Sequence, residues 1–80
     1  MQIMSQITNP SPIAVTVIVN GQSREVKAGS TVADLLQEYA IDPLRVVVQL
    51  DGVIVQRSEL DKALLQEGSK LEIVTLVGGG

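Results

Sequence analysis

The sequence predicts an α+β fold in which a four- to five-stranded mixed sheet packs on one helix. Three features indicate this fold: alternating valines that lead into a tight-turn pair, one apolar stripe with helical spacing at residues 32–39, and two further apolar segments at residues 45–50 and 70–77. The chain has 80 residues, of which 45% are hydrophobic. This composition favours one small domain with a single core over a disordered chain.

A β-hairpin is predicted to open the folded region. Valines occupy every second position in residues 15–19, which is the period of a strand with one face inward. Asn20-Gly21 supplies the two positive-φ positions of a type I′ turn. Residues 22–27 then return as a second strand, with Val26 as its core contact.

One helix is predicted to begin at Ser30-Thr31, after a break at Ala28-Gly29. Thr31 and Asp34 have the spacing of a capping box, weakened because Asp reaches back less well than Glu. Asp42-Pro43 is expected to end the helix, because the residue before proline is disfavoured in α conformation. The apolar stripe of the helix consists of Val32, Leu35, Leu36 and Tyr39.

Two more strands are predicted between the helix and the last strand. Residues 45–50 are dense in β-branched residues, which favours a central strand. Asp51-Gly52 is a second tight-turn pair, and residues 53–55 continue as a short strand. The inward positions of the central strand are Val46, Val48 and Leu50.

The end of the folded region contains a connection and a last strand. Residues 57–66 predict a short helical or 3₁₀ connection, and residues 70–77 predict the final strand. The connection is expected to be anchored by Leu60, Leu64 and Leu65. The last strand should turn Leu71 and Ile73 inward and Glu72, Val74 and Leu76 outward. The first and last strands are expected to lie side by side and parallel in the middle of the sheet, since the helix fits in the long connection between them.

Composition argues against several functions. The chain has no cysteine and no histidine, which removes disulfides, thiol nucleophiles, Cys/His zinc sites and the usual general base. Its formal charge is −3 and its cations are dispersed, so nucleic acid is not an expected partner. The carboxylates, among them Asp34, Glu38, Asp42 and Asp51, fit turns or the solvated helix face. We therefore predict no catalytic residues, no metal site and no bound cofactor.

The predicted organisation is a flexible leader at residues 1–13, a folded domain at residues 14–77 and a glycine tail at residues 78–80. The apolar run at residues 13–19 is too short for a membrane span and lacks the basic residues that precede a signal-peptide core. We expect no membrane partner and a cytoplasmic location.

The three terminal glycines are the sequence feature that indicates a chemical function. At the ordinary glycine frequency, three in a row arise by chance at about 1 in 3,000. A frayed end is the alternative, but the apolar strand passes into Gly78, Gly79 and Gly80 without the polar filler that linkers usually contain. Residues without Cβ can lie extended in a narrow slot, and three of them reach about 10 Å. A C-terminus of this kind suits a terminal carboxylate that is activated in another protein's active site.

The chain resembles the ThiS family of sulfur carrier proteins, which have the ubiquitin-like β-grasp fold. The resemblance covers residues 15–80 and rests on the segments GSTVADLL, DGVIVQRSEL and EGSKLEIVTLVGGG. The sequence differs from the family pattern at Gln56, where Pro is common, at Leu60, where an aromatic is frequent, and at Ser69, where Asp is usual.

The resemblance implies a carrier that acts as a protein co-substrate and is not itself an enzyme. The carboxylate of Gly80 would be adenylated with ATP by an E1-like, ThiF-like partner and converted to a thiocarboxylate. The sulfur would then pass to a thiazole precursor on a ThiG-like thiazole synthase, in thiamine biosynthesis.

A docking surface is predicted on the outward face of the sheet. Val74 and Leu76 on the last strand and Val47 on the central strand are expected to form an apolar patch that leads to the tail. The alternative interpretation is that these three residues are exposed apolar side chains without a function.

Three other functions are compatible with the sequence. The small subunit of molybdopterin synthase resembles this fold, ends in Gly-Gly and delivers sulfur to a pterin precursor. An unmodified β-grasp interaction module would make the glycines accidental. A ubiquitin-like protein conjugated to lysines would share the activation step.

Overall fold

The computed structural model describes residues 13–76, so most of the predicted leader and the glycine tail lie outside the described residues. Five strands form one mixed sheet in the order β2-β1-β5-β3-β4, with one α-helix, α1. This is the predicted α+β class, with the first and last strands adjacent at the centre. The elements are β1 (Ala14–Val19), β2 (Gln22–Lys27), α1 (Val32–Glu38), β3 (Val46–Leu50), β4 (Val53–Ile54) and β5 (Lys70–Thr75).

Two Asx-Gly turns set the antiparallel hairpins, as the sequence predicts. Asn20 and Gly21 have φ values of 49° and 84°, and Asp51 and Gly52 have 51° and 86°. Both pairs thus have the two positive φ angles of a type I′ turn, whose twist matches that of the flanking strands. The turns place Val19 opposite Gln22 and Leu50 opposite Val53.

The centre of the sheet is the parallel pair β1 and β5. Ile18 lies opposite Lys70 and Val19 opposite Leu71, and β5 is paired along its other side with β3 in antiparallel register. Leu71 is completely buried in this position. A parallel neighbour requires a long crossover connection, and the intervening chain contains β2, the helix, β3 and β4.

The helix begins where the sequence predicts and ends earlier. Thr31 and Asp34 form both hydrogen bonds of the capping box: the Asp34 N–H donates to Thr31 Oγ1 (3.2 Å) and the Thr31 N–H donates to Asp34 Oδ2 (2.9 Å). The expectation that Asp42-Pro43 ends the helix is wrong. The chain leaves the helix at Ala40, whose φ of 57° is left-handed, and the Ile41 N–H donates to the Leu36 carbonyl in a Schellman arrangement.

The residues after the helix form a 3₁₀ turn that sets the start of β3. Asp42 caps the 3₁₀ helix Pro43–Arg45 by accepting from the Leu44 N–H at 2.9 Å. The strand therefore begins at Val46 instead of residue 45. Val46 and Val48 are buried, as predicted, and Leu50 is half-buried.

The connection from β4 to β5 contains a 3₁₀ helix, Arg57–Glu59, and is anchored by two of the three predicted leucines. Leu60 and Leu65 are buried, but Leu64 is 49% exposed, so its prediction as an anchor is wrong. Leu64 forms an isolated antiparallel bridge with Thr31, and the Leu65 N–H donates to the Ser30 carbonyl. Adjacent side chains of an extended segment point in opposite directions, so only one of the two leucines can enter the core.

The core lies between the helix and one face of the sheet, and its buried apolar residues come from α1, from every strand except β4, and from the connection before β5. They are Val15, Val17, Val19, Val26, Val32, Leu35, Leu36, Val46, Val48, Leu60, Leu65 and Leu71. Ser69 is the buried polar residue among the described residues. Its hydroxyl accepts from the Gln66 N–H at 2.8 Å, which gives the turn before β5 a side-chain acceptor.

Replacing Leu65 with alanine is expected to lower the free energy of unfolding by about 2–5 kcal/mol, because it leaves a cavity in a close-packed core. The matched control Leu64→Ala should cost about 0.5 kcal/mol or less, since half of that side chain is already in solvent. Urea denaturation measures both values. Equal losses for the two variants would contradict the burial described here.

Candidate functional site

The predicted site residues fall into two groups. Gly78, Gly79 and Gly80 lie outside the described residues, whereas Val47, Val74 and Leu76 are described. These three residues lie on the sheet face opposite the helix, and we refer to them together as the docking patch.

The docking patch is brought together by the pairing of β3 with β5. Val47 lies directly opposite Val74, and the Leu76 N–H donates to the Arg45 carbonyl at 2.7 Å, which continues the ladder beyond the last strand residue. Val74 is 54% exposed and Leu76 is 45% exposed, while Val47 is half-buried. The arrangement is a small apolar surface that ends where the described chain ends.

Ile54 extends this surface and was not among the predicted site residues. It lies opposite Gln49 on β4, which puts it on the outward face, and it is 54% exposed. Ile54 and Val47 line the same shallow groove. The signal was present in the sequence: a two-residue turn at Asp51-Gly52 fixes the register and therefore the side of the sheet on which Ile54 lies.

Polar and charged groups border the docking patch. Glu72 on β5 lies opposite Gln49 on β3, next along the same face. At the other end, Arg45 is paired with Asp42 at 3.8 Å, with both side chains largely in solvent. An exposed pair of this kind adds little stability. An apolar centre with a polar border is the usual composition of a protein–protein contact.

Four carboxylates of the described region accept hydrogen bonds from backbone N–H groups. Asp34 caps the helix, Asp42 caps the following 3₁₀ turn, and Asp51 Oδ1 accepts from the Lys70 N–H at 3.0 Å. Glu67 Oε1 accepts from the Thr16 N–H at 2.9 Å. Within residues 13–76, no group of three Asp or Glu side chains is placed to hold a metal ion.

A search of the described helices finds none with the length and apolar character needed to cross a membrane. The described helices are short, and α1, the longest, has seven residues.

The fold and the site define a β-grasp domain of the ubiquitin-like class, with an apolar surface along its last strand. The sequence profile of the ThiS family matches residues 17–80 of this chain. The chain therefore belongs to the ThiS family.

Comparison with individual proteins agrees with this assignment. The structure is similar to that of the thiamine biosynthesis protein ThiS from Geobacter metallireducens, with a TM-score of 0.72 and 26% sequence identity, over 82% of this chain and all of that one. The chain is 38% identical over 64 residues to a thiazole synthase of Paramagnetospirillum magneticum and 32% identical over 62 residues to one of Magnetococcus marinus. These matches cover 80% and 78% of this chain but only 20% and 19% of the two synthases, so the chain spans about a fifth of their length.

Val74→Asp and Leu76→Asp are each expected to weaken binding to the E1-like activating enzyme that the resemblance to the ThiS family implies, by about tenfold or more, because each would place a charge in the apolar centre of the predicted contact. Surface plasmon resonance with the immobilised carrier measures the affinity. The unfolding midpoint should change little, because both side chains are about half in solvent.

Val53→Asp is the matched control for these two variants. Val53 is 68% exposed and pairs with Leu50, so it lies on the other side of the sheet from the docking patch. Its replacement should leave the affinity unchanged. Normal binding by both patch variants would remove the proposed role of the docking patch.

Proposed function

We propose that this chain is a sulfur carrier of thiamine biosynthesis, and that the carboxylate of Gly80 is the group that carries sulfur. The observation that supports this proposal most directly is the ThiS-family match, which extends through the last strand to Gly80. A second support is the docking patch, in which Val47 on β3 lies beside Val74 on β5, the strand that precedes the glycines in the sequence.

The proposed chemistry has two steps. A Gly80 carboxylate oxygen attacks the α-phosphate of ATP, which releases pyrophosphate and leaves an acyl adenylate. A hydrosulfide ion from the sulfur donor then attacks the acyl carbon and displaces AMP, and loss of the sulfur-bound proton to solvent leaves a thiocarboxylate. Glycine suits both steps, because it has no side chain to block approach to the carbonyl carbon.

The catalytic groups for these steps belong to partner proteins in this proposal. The chain has no cysteine or histidine to serve as nucleophile or base. Asp34, Asp42, Asp51 and Glu67 each accept a hydrogen bond from a backbone N–H, which gives these four carboxylates a structural role. The carrier thus acts as a co-substrate, and ATP is bound and used by an E1-like, ThiF-like enzyme in the cytoplasm.

A ThiG-like thiazole synthase is the proposed acceptor of the sulfur. Two proteins named thiazole synthase contain a segment similar to this chain, and that segment makes up about a fifth of their length. Such proteins join a carrier-like domain to a larger remainder in one polypeptide. Their organisation supports a direct interaction between the present domain and a thiazole synthase.

The experiment that tests the proposal is intact-mass spectrometry of the chain. Its unmodified mass first establishes that Gly80 bears the free carboxylate. Incubation with an E1-like activating enzyme, ATP and a sulfur donor should then raise the mass by the difference between sulfur and oxygen. An unchanged mass, under conditions in which the Geobacter ThiS reacts, refutes the proposal and favours an unmodified interaction module.

The same sample distinguishes the thiamine branch from the molybdenum-cofactor branch. The thiocarboxylate form should support thiazole formation by a thiazole synthase. Sulfur transfer to a pterin precursor alone would instead assign the chain as a molybdopterin synthase small subunit. A new amide bond to a lysine would indicate conjugation.

Deletion of Gly80 is expected to reduce thiocarboxylate formation by about 100-fold, because the reacting carbon is withdrawn by about one residue length from the partner's catalytic groups. The melting temperature should not change, since the core residues lie between Val15 and Leu71. Parallel loss of melting temperature and activity would contradict the separation of tail and core.

A further inference from the structure

The side chain of Asn20 holds the last strand at a point where the neighbouring strand has already ended. The Ile73 N–H donates to Asn20 Oδ1 at 2.7 Å, and Asn20 Nδ2 donates to the Ile73 carbonyl at 3.1 Å. The β1–β5 register stops at Val19 and Leu71, because the chain turns at Asn20 and Gly21. If β1 continued, its backbone would bond to the N–H and carbonyl of Ile73. The Asn20 carboxamide makes these two hydrogen bonds instead.

The two edges of β5 are held differently near its end. On the β3 side the ladder continues to Leu76, whose N–H donates to the Arg45 carbonyl. On the β1 side, the hydrogen bonds of the Asn20 carboxamide to Ile73 are the ones furthest along β5 among the described residues. Without them, the stretch from Ile73 to Leu76 would be attached along one edge only.

Holding both edges fixes the direction in which the chain leaves the sheet. From Ile73 to Leu76, the last described residue, there are three residue steps, which span about 10 Å in an extended strand. A change of about 10° in direction at Ile73 moves Leu76 by about 2 Å at this strand spacing. Misplacement of a reacting group by about 1 Å can already lower an enzymatic rate by about 100-fold.

We propose that Asn20 is a positioning residue for the carboxylate of Gly80 in the active site of the activating enzyme. This inference rests on the proposed function, because it assigns Asn20 a part in delivering the group that reacts. Asn20 acts through the backbone of Ile73 and does not touch ATP or the reacting carbon. Its effect is on the catalysed step, whereas the docking patch governs binding.

The chain offers a matched control at the opposite end of the same strand. Asp51 also occupies the first position of an Asx-Gly turn, with a φ of 51° against 49° for Asn20. Its Oδ1 accepts from the Lys70 N–H at 3.0 Å. Asp51 therefore holds the start of β5 much as Asn20 holds its end.

Two pairs of variants separate positioning from stability. Asn20→Gly and Asp51→Gly both keep a turn that glycine accommodates, and each removes side-chain hydrogen bonds to β5. Asn20→Asp keeps size and turn preference but replaces the donor that faces the Ile73 carbonyl with an acceptor. Asp51→Asn keeps the oxygen that accepts from Lys70 and is its reciprocal control.

The measurement is carrier-dependent release of pyrophosphate from ATP by the E1-like enzyme, with each full-length variant as substrate. Asn20→Gly and Asn20→Asp should each lower kcat by about tenfold or more while KM for the carrier stays within about twofold, the signature of an interaction that acts in the transition state. Asp51→Gly and Asp51→Asn should leave both constants within about twofold of wild type. Equal kcat values for Asn20→Gly and Asp51→Gly overturn the proposal.

A second readout keeps this inference separate from the proposed function. Nitrogen-15 relaxation of the free carrier should show larger motion after Ile73 in Asn20→Gly and no such change in Asp51→Gly. If wild type is not activated at all, the proposed function fails, and the relaxation data still decide whether Asn20 directs the chain end. Identical relaxation in the two variants rejects that role.

Discussion

The structure depends on the position of β5 between β1 and β3 at the centre of the sheet. Leu71, near the start of this strand, is completely buried and belongs to the core. Because β5 runs parallel to β1, the chain must cross the domain between them, and the helix packs over the sheet in that crossing. The same placement brings the end of β5 to one end of the sheet, where the chain continues toward Gly80.

The polar side chains of this small domain serve mainly to hold backbone. Thr31 and Asp34 satisfy free amides at the helix start, and Ser69 does the same in the turn before β5. Asn20 and Asp51 each combine a positive-φ turn with side-chain hydrogen bonding to β5, Asp51 at its first residue, Lys70, and Asn20 at Ile73. A domain of this size has a limited apolar core. Turn side chains that also bond to a distant strand therefore help to hold the backbone where few apolar contacts do so.

A carrier domain needs a surface for recognition and a reactive group that reaches beyond that surface. The docking patch lies on the outer face of β3 and β5, away from the core face, so its residues can be apolar without being needed for folding. The proposed reacting group is a backbone carboxylate and requires no side chain. In the proposed function, this division explains how sulfur can be carried by a chain that has no cysteine.

Much of the fold and part of the candidate site followed from the sequence, because they depend on short-range patterns. The Asx-Gly turns, the capping box and the alternating valines involve residues within a few positions of one another, and the local backbone fixes their geometry. The outward placement of Val47 and Val74 followed from the same alternation. The interpretation of the three glycines also came from the sequence alone.

Tertiary structure decided the features that depend on contact between distant segments. The bridge to Thr31 determines that Leu65 and not Leu64 enters the core. The bond from Asn20 to Ile73 joins residues 53 positions apart. No local pattern specifies such contacts, because they arise only when the strand register and the packing of the whole sheet are set.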